Sequence, residues 1–200
     1  MAQTPSDSLS TPFRKGRWLT GISGTFSSST NKLRSTDDRS TSNQFGLNIN
    51  GGSFFKDRWL VGGLIQIDGT EFEGNADITS ETFFIGPAVS HYLSPSSQGS
   101  LFVLFAPGYA RYRDSLNFEN AMTIVDQTSS GSGFALNFGL GYSYVIIDRI
   151  AFDIGFSVNQ AWFSINIEDE GMGTETSDKI SISNIAFSFG FKILLEKFLQ

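Results

Sequence analysis

His91, the single histidine of the chain, is the side chain best suited to acid–base chemistry near neutral pH. Beside a serine or an aspartate it could activate a nucleophile or a water molecule. The chain has no cysteine, which excludes a thiolate nucleophile, a thiolate metal site and a disulfide framework. Hydrolytic chemistry would therefore require a serine or an aspartate in contact with His91.

Acidic residues are the second candidates, because carboxylates bind divalent cations. Most of the 20 acidic residues lie within residues 68–81, 114–126 and 168–178. The segment EDEGMGTETSD (168–178) offers several carboxylates to Ca²⁺, but no glutamate follows Gly171 by six residues, as an EF-hand loop requires. The alternative is that these acidic side chains only keep surface-exposed segments hydrated. A net charge of -6 without a basic stripe excludes nucleic acid as a partner.

A third group of charges interrupts apolar segments. Arg17, Asp153 and Lys192 share the side of their segments that otherwise carries small residues, and Arg58 begins a further segment. Charges enclosed among apolar residues must be paired. Whether these four residues meet depends on the elements that carry them.

Those elements are strands with large apolar side chains on one face and small side chains on the other. From Phe134 onward, large apolar side chains alternate with small ones such as Gly139 and Gly141, and the pattern resumes after the short break IDR (147–149). The bulky residues are Phe134, Leu136, Phe138, Leu140, Tyr142, Tyr144, Ile146, Ile150, Phe152, Ile154, Phe156 and Val158.

Alternation and turn signals predict eight strands and no helix. Short connections, such as SPSSQG (94–99), alternate with long polar ones near 29–43, 69–81, 113–132 and 164–180. No apolar run reaches the roughly 20 residues of a spanning helix. The predicted strands lie near 17–28, 44–55, 58–68, 82–93, 100–112, 133–146, 150–163 and 181–195.

Volume decides which way the bulky face points. An eight-stranded barrel encloses an interior just wide enough for side chains or one small ligand. The chain has 20 Phe residues, and its large apolar side chains are too many for that interior, whereas Gly, Ala, Ser and Asn pack well there. The sequence therefore predicts an all-β, eight-stranded antiparallel up-and-down transmembrane barrel with a filled lumen.

In this pattern the chain resembles the small outer-membrane barrels of Gram-negative bacteria, the OmpA/OmpX-like and OmpW-like porin-family proteins. The segments GPAVSHYL (86–93) and LFAPGYARY (104–112) are similar to the middle strands of Bacteroidetes-type members. The last strand resembles the β-signal read by the barrel-assembly machinery, through Ser188, Gly190, Ile193 and Leu195. Members of the family usually end on an aromatic residue, whereas EKFLQ (196–200) follows here. Either the signal lies slightly before the end of the chain, or Phe198 takes the place of the terminal aromatic residue.

The resemblance implies an orientation and a domain plan. Residues 1–15 form a periplasmic extension, residues 16–195 form the barrel, and residues 196–200 form a periplasmic tail. The four long segments then face the exterior, and an export signal is expected to have been removed before Ala2. Trp18, Trp59 and Trp162 are expected in the aromatic girdles.

Within this plan we expect Arg17, Asp153, Lys192 and Arg58 to form an ionic cluster in the lower lumen, either structural or as a gate. Pro87 and Pro107 interrupt two adjacent strands and predict a bulge or a kink. His91 lies near a periplasmic turn, away from the outer surface where lipid-modifying barrels do their chemistry. No catalytic residue, metal or cofactor is predicted.

The sequence leaves the function open between three classes. The first is a non-enzymatic protein that supports the envelope or binds a protein partner through its long segments, in contact with lipid and lipopolysaccharide or as a subunit of an envelope complex. The second is a narrow pore for ions or small solutes, and the third is a lipid-modifying enzyme.

Overall fold

The computed structural model describes residues 11–33, 39–72, 77–120, 123–169 and 174–196. These residues form eight strands in a closed barrel, in which each strand pairs antiparallel with the next and β8 pairs with β1. The sequence prediction of an all-β antiparallel barrel is confirmed. The strands are β1 (Trp18–Leu33), β2 (Arg39–Lys56), β3 (Trp59–Phe72), β4 (Asp77–Tyr92), β5 (Gly99–Asn120), β6 (Thr123–Ile147), β7 (Ile150–Asp169) and β8 (Thr174–Leu195).

Strand alternation separates the side chains into an outer wall and a bore. Phe138, Phe156 and Phe189 are each more than half exposed on the outer wall. Their neighbours Asn137 and Gly155 face the bore and are buried. No described residue belongs to a helix long and apolar enough to cross a membrane.

The outer wall carries an apolar band of defined height. We call the end of the barrel where β1 begins and β8 ends the base and the opposite end the top. On β7 the band runs from Phe152 to Trp162, about 33 Å along the strand, which a tilt of about 40° reduces to about 25 Å of height. That height matches the apolar band of known transmembrane barrels.

On β5, β6 and β7 the upper edge of the band changes from aromatic to polar within two residues along the strand. Tyr109, Phe134 and Trp162 are paired side by side across β5, β6 and β7 and are about half exposed. The next outward row consists of polar and cationic side chains, all exposed: Arg111, Ser132, Ser164 and Lys179. This order is typical of the boundary between hydrocarbon and lipid headgroups.

The strands continue well beyond the band into the segments that were predicted as long connections. The pairing of β5 with β6 extends to Asn120 and Thr123, and that of β7 with β8 to Asp169 and Thr174. The polar composition of these segments predicts loops. Above the lipid, however, neither face of a strand needs apolar residues, so pairing continues in a Ser- and Thr-rich sequence.

Pro87 and Pro107 face each other across β4 and β5. The ladder is interrupted between the pairs Ile85–Tyr109 and Val89–Phe105, with the same register on both sides, so the predicted bulge is absent. The ladders of β3 with β4 and of β5 with β6 are continuous past the prolines. At Pro87 and Pro107 the backbone nitrogens therefore face each other. Both absent N–H donors fall in the same gap of the ladder between β4 and β5.

Candidate functional site: the sealed lumen

The base of the bore is closed by an aromatic plug that begins before the first strand. Phe13 is fully buried and stacks on Tyr92, with 4.0 Å between ring centroids and 18° between ring planes. Phe54 lies 6.0 Å from Phe13 and 5.6 Å from Tyr92, centroid to centroid. The base plug comprises Phe13, Leu19, Phe54, Leu60, Tyr92, Phe102 and Leu194.

Backbone hydrogen bonds hold the segment that carries Phe13 against the turn between β2 and β3. The amide of Arg58 donates to the carbonyl oxygen of Phe13 at 2.7 Å, and the amide of Gly16 donates to that of Phe54 at 2.8 Å. The amide of Lys15 donates to the Asp57 carboxylate at 2.7 Å. Gly16 has a φ of 88°, a conformation that glycine adopts without steric cost, which lets the chain turn from the plug into β1.

Arg17 is buried at the rim of the base. Its guanidinium donates to both carboxylate oxygens of Asp148, at 3.1 and 2.9 Å, and to the carbonyl oxygen of Pro12 at 2.9 Å. It also pairs with Glu196 at 3.0 Å. Arg17 thus connects the first segment, the turn between β6 and β7, and the end of β8.

Asp153 and Lys192 form a buried ion pair above the base plug. The Ser143 hydroxyl donates to Asp153 at 2.6 Å, and the Lys192 ammonium donates to the Tyr92 hydroxyl at 3.3 Å. The ammonium also lies 4.3 Å from the centroid of the Phe102 ring, a cation–π contact. The pair is therefore enclosed by polar and aromatic partners.

Of the four residues predicted as one ionic cluster, the structure brings only Asp153 and Lys192 together. Arg17 lies at the rim and pairs with Asp148 and Glu196, two residues that the sequence pattern does not indicate. Arg58 is half-buried in the turn between β2 and β3 and donates to the carbonyl oxygen of Leu93 at 2.9 Å. Both arginines lie below the lumen, because Phe13 and its neighbours before β1 fill the lower lumen.

A network of carboxamides spans the middle of the bore. Asn137 and Asn159 lie side by side on β6 and β7, and both donate to the Gln66 side-chain oxygen, at 3.0 and 2.7 Å. Gln66 in turn donates to the buried Asp68. The sequence places Asp68 at the start of an acidic segment, but strand parity directs its side chain into the lumen.

A second apolar cluster begins beside this network, since its member Leu64 lies nearer the base on β3 than Gln66, and it continues toward the top. The top cluster comprises Leu64, Phe84, Ala88, Ala106, Ala110, Tyr112, Ala135, Ala161, Phe163, Ile165, Ile180 and Ile182. Above the lipid-facing band, Asp114 on β5 is half-buried, and burial raises the pKa of its carboxyl. Above the network Tyr112, Phe163, Ile165 and Ile180 are buried, so apolar side chains fill the bore on both sides of the carboxamides.

Solved structures that are similar to this chain include outer-membrane proteins. The outer membrane protein AlkL in lipid bilayers superposes with a TM-score of 0.60 at 12% identity, covering 100% of this chain and 99% of AlkL. OprG from Pseudomonas aeruginosa gives a TM-score of 0.56 at 14% identity, with 95% and 100% covered. Neisserial surface protein A gives 0.53 at 13% identity, with 90% and 97% covered.

The chain has the fold of a small eight-stranded outer-membrane β-barrel. No family model matches the sequence, and no curated protein matches it either. At these identities the likeness establishes the fold alone.

In this outer-membrane barrel fold, the three tryptophans lie on the outer wall. Trp18 and Trp59 are at the base end and Trp162 is at the upper edge of the band, with exposed fractions from 36% to 52%. His91 stacks on Trp59, with 4.2 Å between ring centroids. His91 therefore faces outward at the base, away from the acids of the top.

The four residues predicted as the β-signal lie on β8, along the seam that closes the barrel. Ser188 and Gly190 face the bore, and Ile193 faces outward. Their partners on β1 are Thr25, Ser23 and Thr20, and Leu195 pairs with Trp18. The acidic segment 168–178, predicted as a possible calcium site, lies partly outside the described residues.

Proposed function

We propose that this protein is an integral outer-membrane protein with a closed lumen, which acts through its top as a binding surface. The observation that carries the proposal is the enclosure of the bore between the base plug and the top cluster. An eight-stranded interior filled at both ends leaves no continuous aqueous path. A narrow pore would require both apolar layers to move.

The membrane location rests on the outer wall and on the fold. An apolar band about 25 Å high, bordered by aromatic side chains, has no stable alternative to lipid. Both ends of the barrel lie at the base, and the strands extend farther beyond the band at the top, which supports a periplasmic base and an exterior top. Contact with lipopolysaccharide follows from that placement, and we propose that the last strand is read by the barrel-assembly machinery through Ser188, Gly190, Ile193 and Leu195.

The strand pairings extend to different heights around the top of the barrel. The pairing of β5 with β6 extends from the Tyr109–Phe134 pair at the upper edge of the band to the Asn120–Thr123 pair, about 35 Å farther along the strands. The pairing of β3 with β4 ends at Phe72 and Ile78. A tall hairpin beside a lower one offers a side surface to a partner, and the acidic residues of the top favour a partner with a basic surface.

Planar-bilayer recording tests the closed lumen directly. The purified chain in a lipid bilayer should show no steady conductance above that of bare lipid. Discrete open states in the unmodified protein would contradict the proposal and favour the pore.

Photo-cross-linking in the outer membrane of the producing cell tests the binding surface. A photoreactive residue in place of the exposed Arg113, on the tall hairpin, should give a discrete cross-linked protein. The same residue in place of Asp57, in the exposed base turn, serves as the control.

The product should disappear when residues 115–128 are replaced by Asn-Gly, which joins the paired residues Asp114 and Ser129 by a tight turn. Shortening β7 and β8 beyond the Ile165–Asp178 pair in the same way should leave it intact. No product at Arg113, or one that survives removal of the hairpin, would contradict a partner at this surface.

A further inference from the structure

A groove on the outer wall lies at the upper edge of the apolar band, where β7, β8 and β1 run side by side. We call it the Lys179 groove. Its volume is about 500 Å³, which is room for a ligand group much larger than one water molecule or one bare ion. Its polar and aromatic wall consists of Trp162 and Ser164 on β7, Lys179 and Ser181 on β8, and Lys32 on β1.

Strand parity directs these side chains to the outside of the barrel. Trp162 and Lys179 are exposed, and Lys32 is half-buried. The other two residues of the wall, Phe163 and Ile180, have buried side chains that belong to the top cluster inside the bore. The side chains that a ligand would meet are therefore one indole ring, two hydroxyl groups and two ammonium groups.

The register of the strands brings the two lysines within reach of one ligand. Ser181 pairs with Trp162 on β7 and with Lys32 on β1, so these three residues form one row across the wall. Lys179 lies two residues nearer the top on the same face of β8 and pairs with Ser164. Residues on adjacent strands that are offset by two positions have Cβ atoms about 7 Å apart, and two long lysine side chains span that distance to a shared anion.

The described side chains of this wall include cationic donors and no carboxylate. Each lysine ammonium group has three N–H donors and no acceptor. The Gln160 amide donates to the Ser181 oxygen at 2.7 Å, so the Ser181 hydroxyl acts as a donor to any further partner. Asp178 is next to Lys179 in the sequence, but it lies on the opposite face of β8 and accepts the backbone N–H of Lys179. The groove is therefore complementary to an anion that accepts several hydrogen bonds.

We propose that the Lys179 groove binds a phosphate group on the sugar headgroup of lipopolysaccharide. A phosphate monoester carries a charge of about -1.5 to -2 and three acceptor oxygens, which match two ammonium groups and two hydroxyls. Trp162 marks the level at which hydrocarbon gives way to lipid headgroups, so the groove opens into the headgroup layer. The volume of the groove also accommodates part of the sugar that carries the phosphate.

A phospholipid headgroup and a free phosphate ion share part of this chemistry. A phospholipid presents a phosphodiester, which has less charge and fewer free oxygens than a phosphate monoester, and a free phosphate ion fills only part of the groove. Binding of lipopolysaccharide at this level rests on the proposed function, because it requires the top to face the exterior. Conductance and cross-linking test that function without involving the groove, so the two proposals can fail separately.

Native mass spectrometry of the purified chain in detergent micelles measures the binding. The probes are lipid A, which is the phosphorylated lipid anchor of lipopolysaccharide, the same lipid without its phosphate groups, phosphatidylglycerol and inorganic phosphate. The protein should retain one lipid A molecule and bind the dephosphorylated lipid more than about tenfold more weakly. Phosphatidylglycerol should also bind more weakly than lipid A, and an equal concentration of inorganic phosphate should not displace lipid A.

Matched variants separate the groove from a general attraction between cations and phosphate. Lys179→Gln should weaken the binding of lipid A about tenfold, through the loss of a charge-assisted hydrogen bond, and adding Lys32→Gln should weaken it further. Arg111→Gln removes the same charge from an exposed position in the same outward row and should leave the binding unchanged. Arg111 is on β5, three strand spacings or about 14 Å from Lys179 along that row.

Single-tryptophan variants locate the bound lipid on the wall. A variant with Trp18→Phe and Trp59→Phe retains only Trp162, and its fluorescence emission should shift when lipid A binds. A variant with Trp18→Phe and Trp162→Phe retains only Trp59, at the base, and its emission should stay the same at a lipid A concentration that both variants bind.

Equal binding of lipid A and its dephosphorylated form would overturn the proposal, and so would equal losses in Lys179→Gln and Arg111→Gln. Tighter binding of phosphatidylglycerol, or displacement by inorganic phosphate, would assign the groove to another anion. An equal emission shift in both tryptophan variants would show that the lipid coats the whole wall and has no site at the groove.

Discussion

The ring of Phe13 stacks on the ring of Tyr92, although the two residues lie in the first described segment and at the end of β4. Through this contact the segment that precedes β1 closes the base of the bore. Tyr92 also accepts a hydrogen bond from Lys192, so the plug and the buried ion pair form one continuous unit.

Phe13→Ala should lower the free energy of unfolding by about 3 kcal/mol, because a fully buried ring is replaced by a cavity at the base. Urea unfolding in lipid vesicles, followed by tryptophan fluorescence, measures the change. Phe55→Ala is the control, since Phe55 is 53% exposed at the same level of the barrel. Equal effects of both variants would show that Phe13 does not seal the bore.

Asp153→Ala should lower the free energy of unfolding by about 3 to 5 kcal/mol, because it leaves the ammonium of Lys192 buried without its counter-charge. The double variant Asp153→Ala with Lys192→Met should recover a large part of this loss, since an unpaired charge costs more than an apolar replacement of the pair. Unfolding in urea measures the stability, and bilayer recording measures the conductance. A higher conductance at unchanged stability would instead identify the pair as a gate.

Pro87→Val should create a slowly exchanging backbone amide at residue 87. The new N–H would point at the carbonyl oxygen of Pro107 across the ladder gap, where lipid excludes water. Hydrogen–deuterium exchange measured by mass spectrometry reports its protection. Pro95→Val, in the connection between β4 and β5, is the control and should give a rapidly exchanging amide. Rapid exchange at residue 87 would mean that its N–H does not face β5.

Gly190→Ala should impair closure of the barrel between β8 and β1. An added Cβ at Gly190 would overlap the backbone of Ile22 and Ser23, whereas one at Gly24 on the same seam would meet only the Phe189 ring, at 3.9 Å. Refolding yield into detergent, without any assembly machinery, should fall for Gly190→Ala and stay unchanged for Gly24→Ala. Normal refolding of Gly190→Ala combined with failed assembly in cells would assign Gly190 to recognition instead of packing.

The outward direction of the apolar face could be predicted from the sequence because it depends on local and volumetric facts. Parity along each strand assigns Phe138 and Asn137 to opposite faces, and the bulk of the apolar residues exceeds what eight strands can enclose. The pairing of Asp153 with Lys192 also followed, since β7 and β8 are consecutive and both residues lie near their base ends.

Other features were decided by contacts between residues far apart in the chain. The register of β4 with β5 placed Pro87 directly opposite Pro107, and strand parity alone does not reveal that match. Gln66 meets Asn137 and Asn159 across the width of the bore, which depends on the tilt and stagger of all eight strands.

The sequence by itself determined that this chain is a lipid-facing barrel of eight strands, because alternation is a local property and interior volume follows from strand number. Only the tertiary structure decided how the lumen is filled. The position of Phe13 under the barrel and of Arg17 at its rim depends on a segment that has no periodic pattern of its own. Its place is set by the aromatic and ionic partners that closure of the barrel brings together.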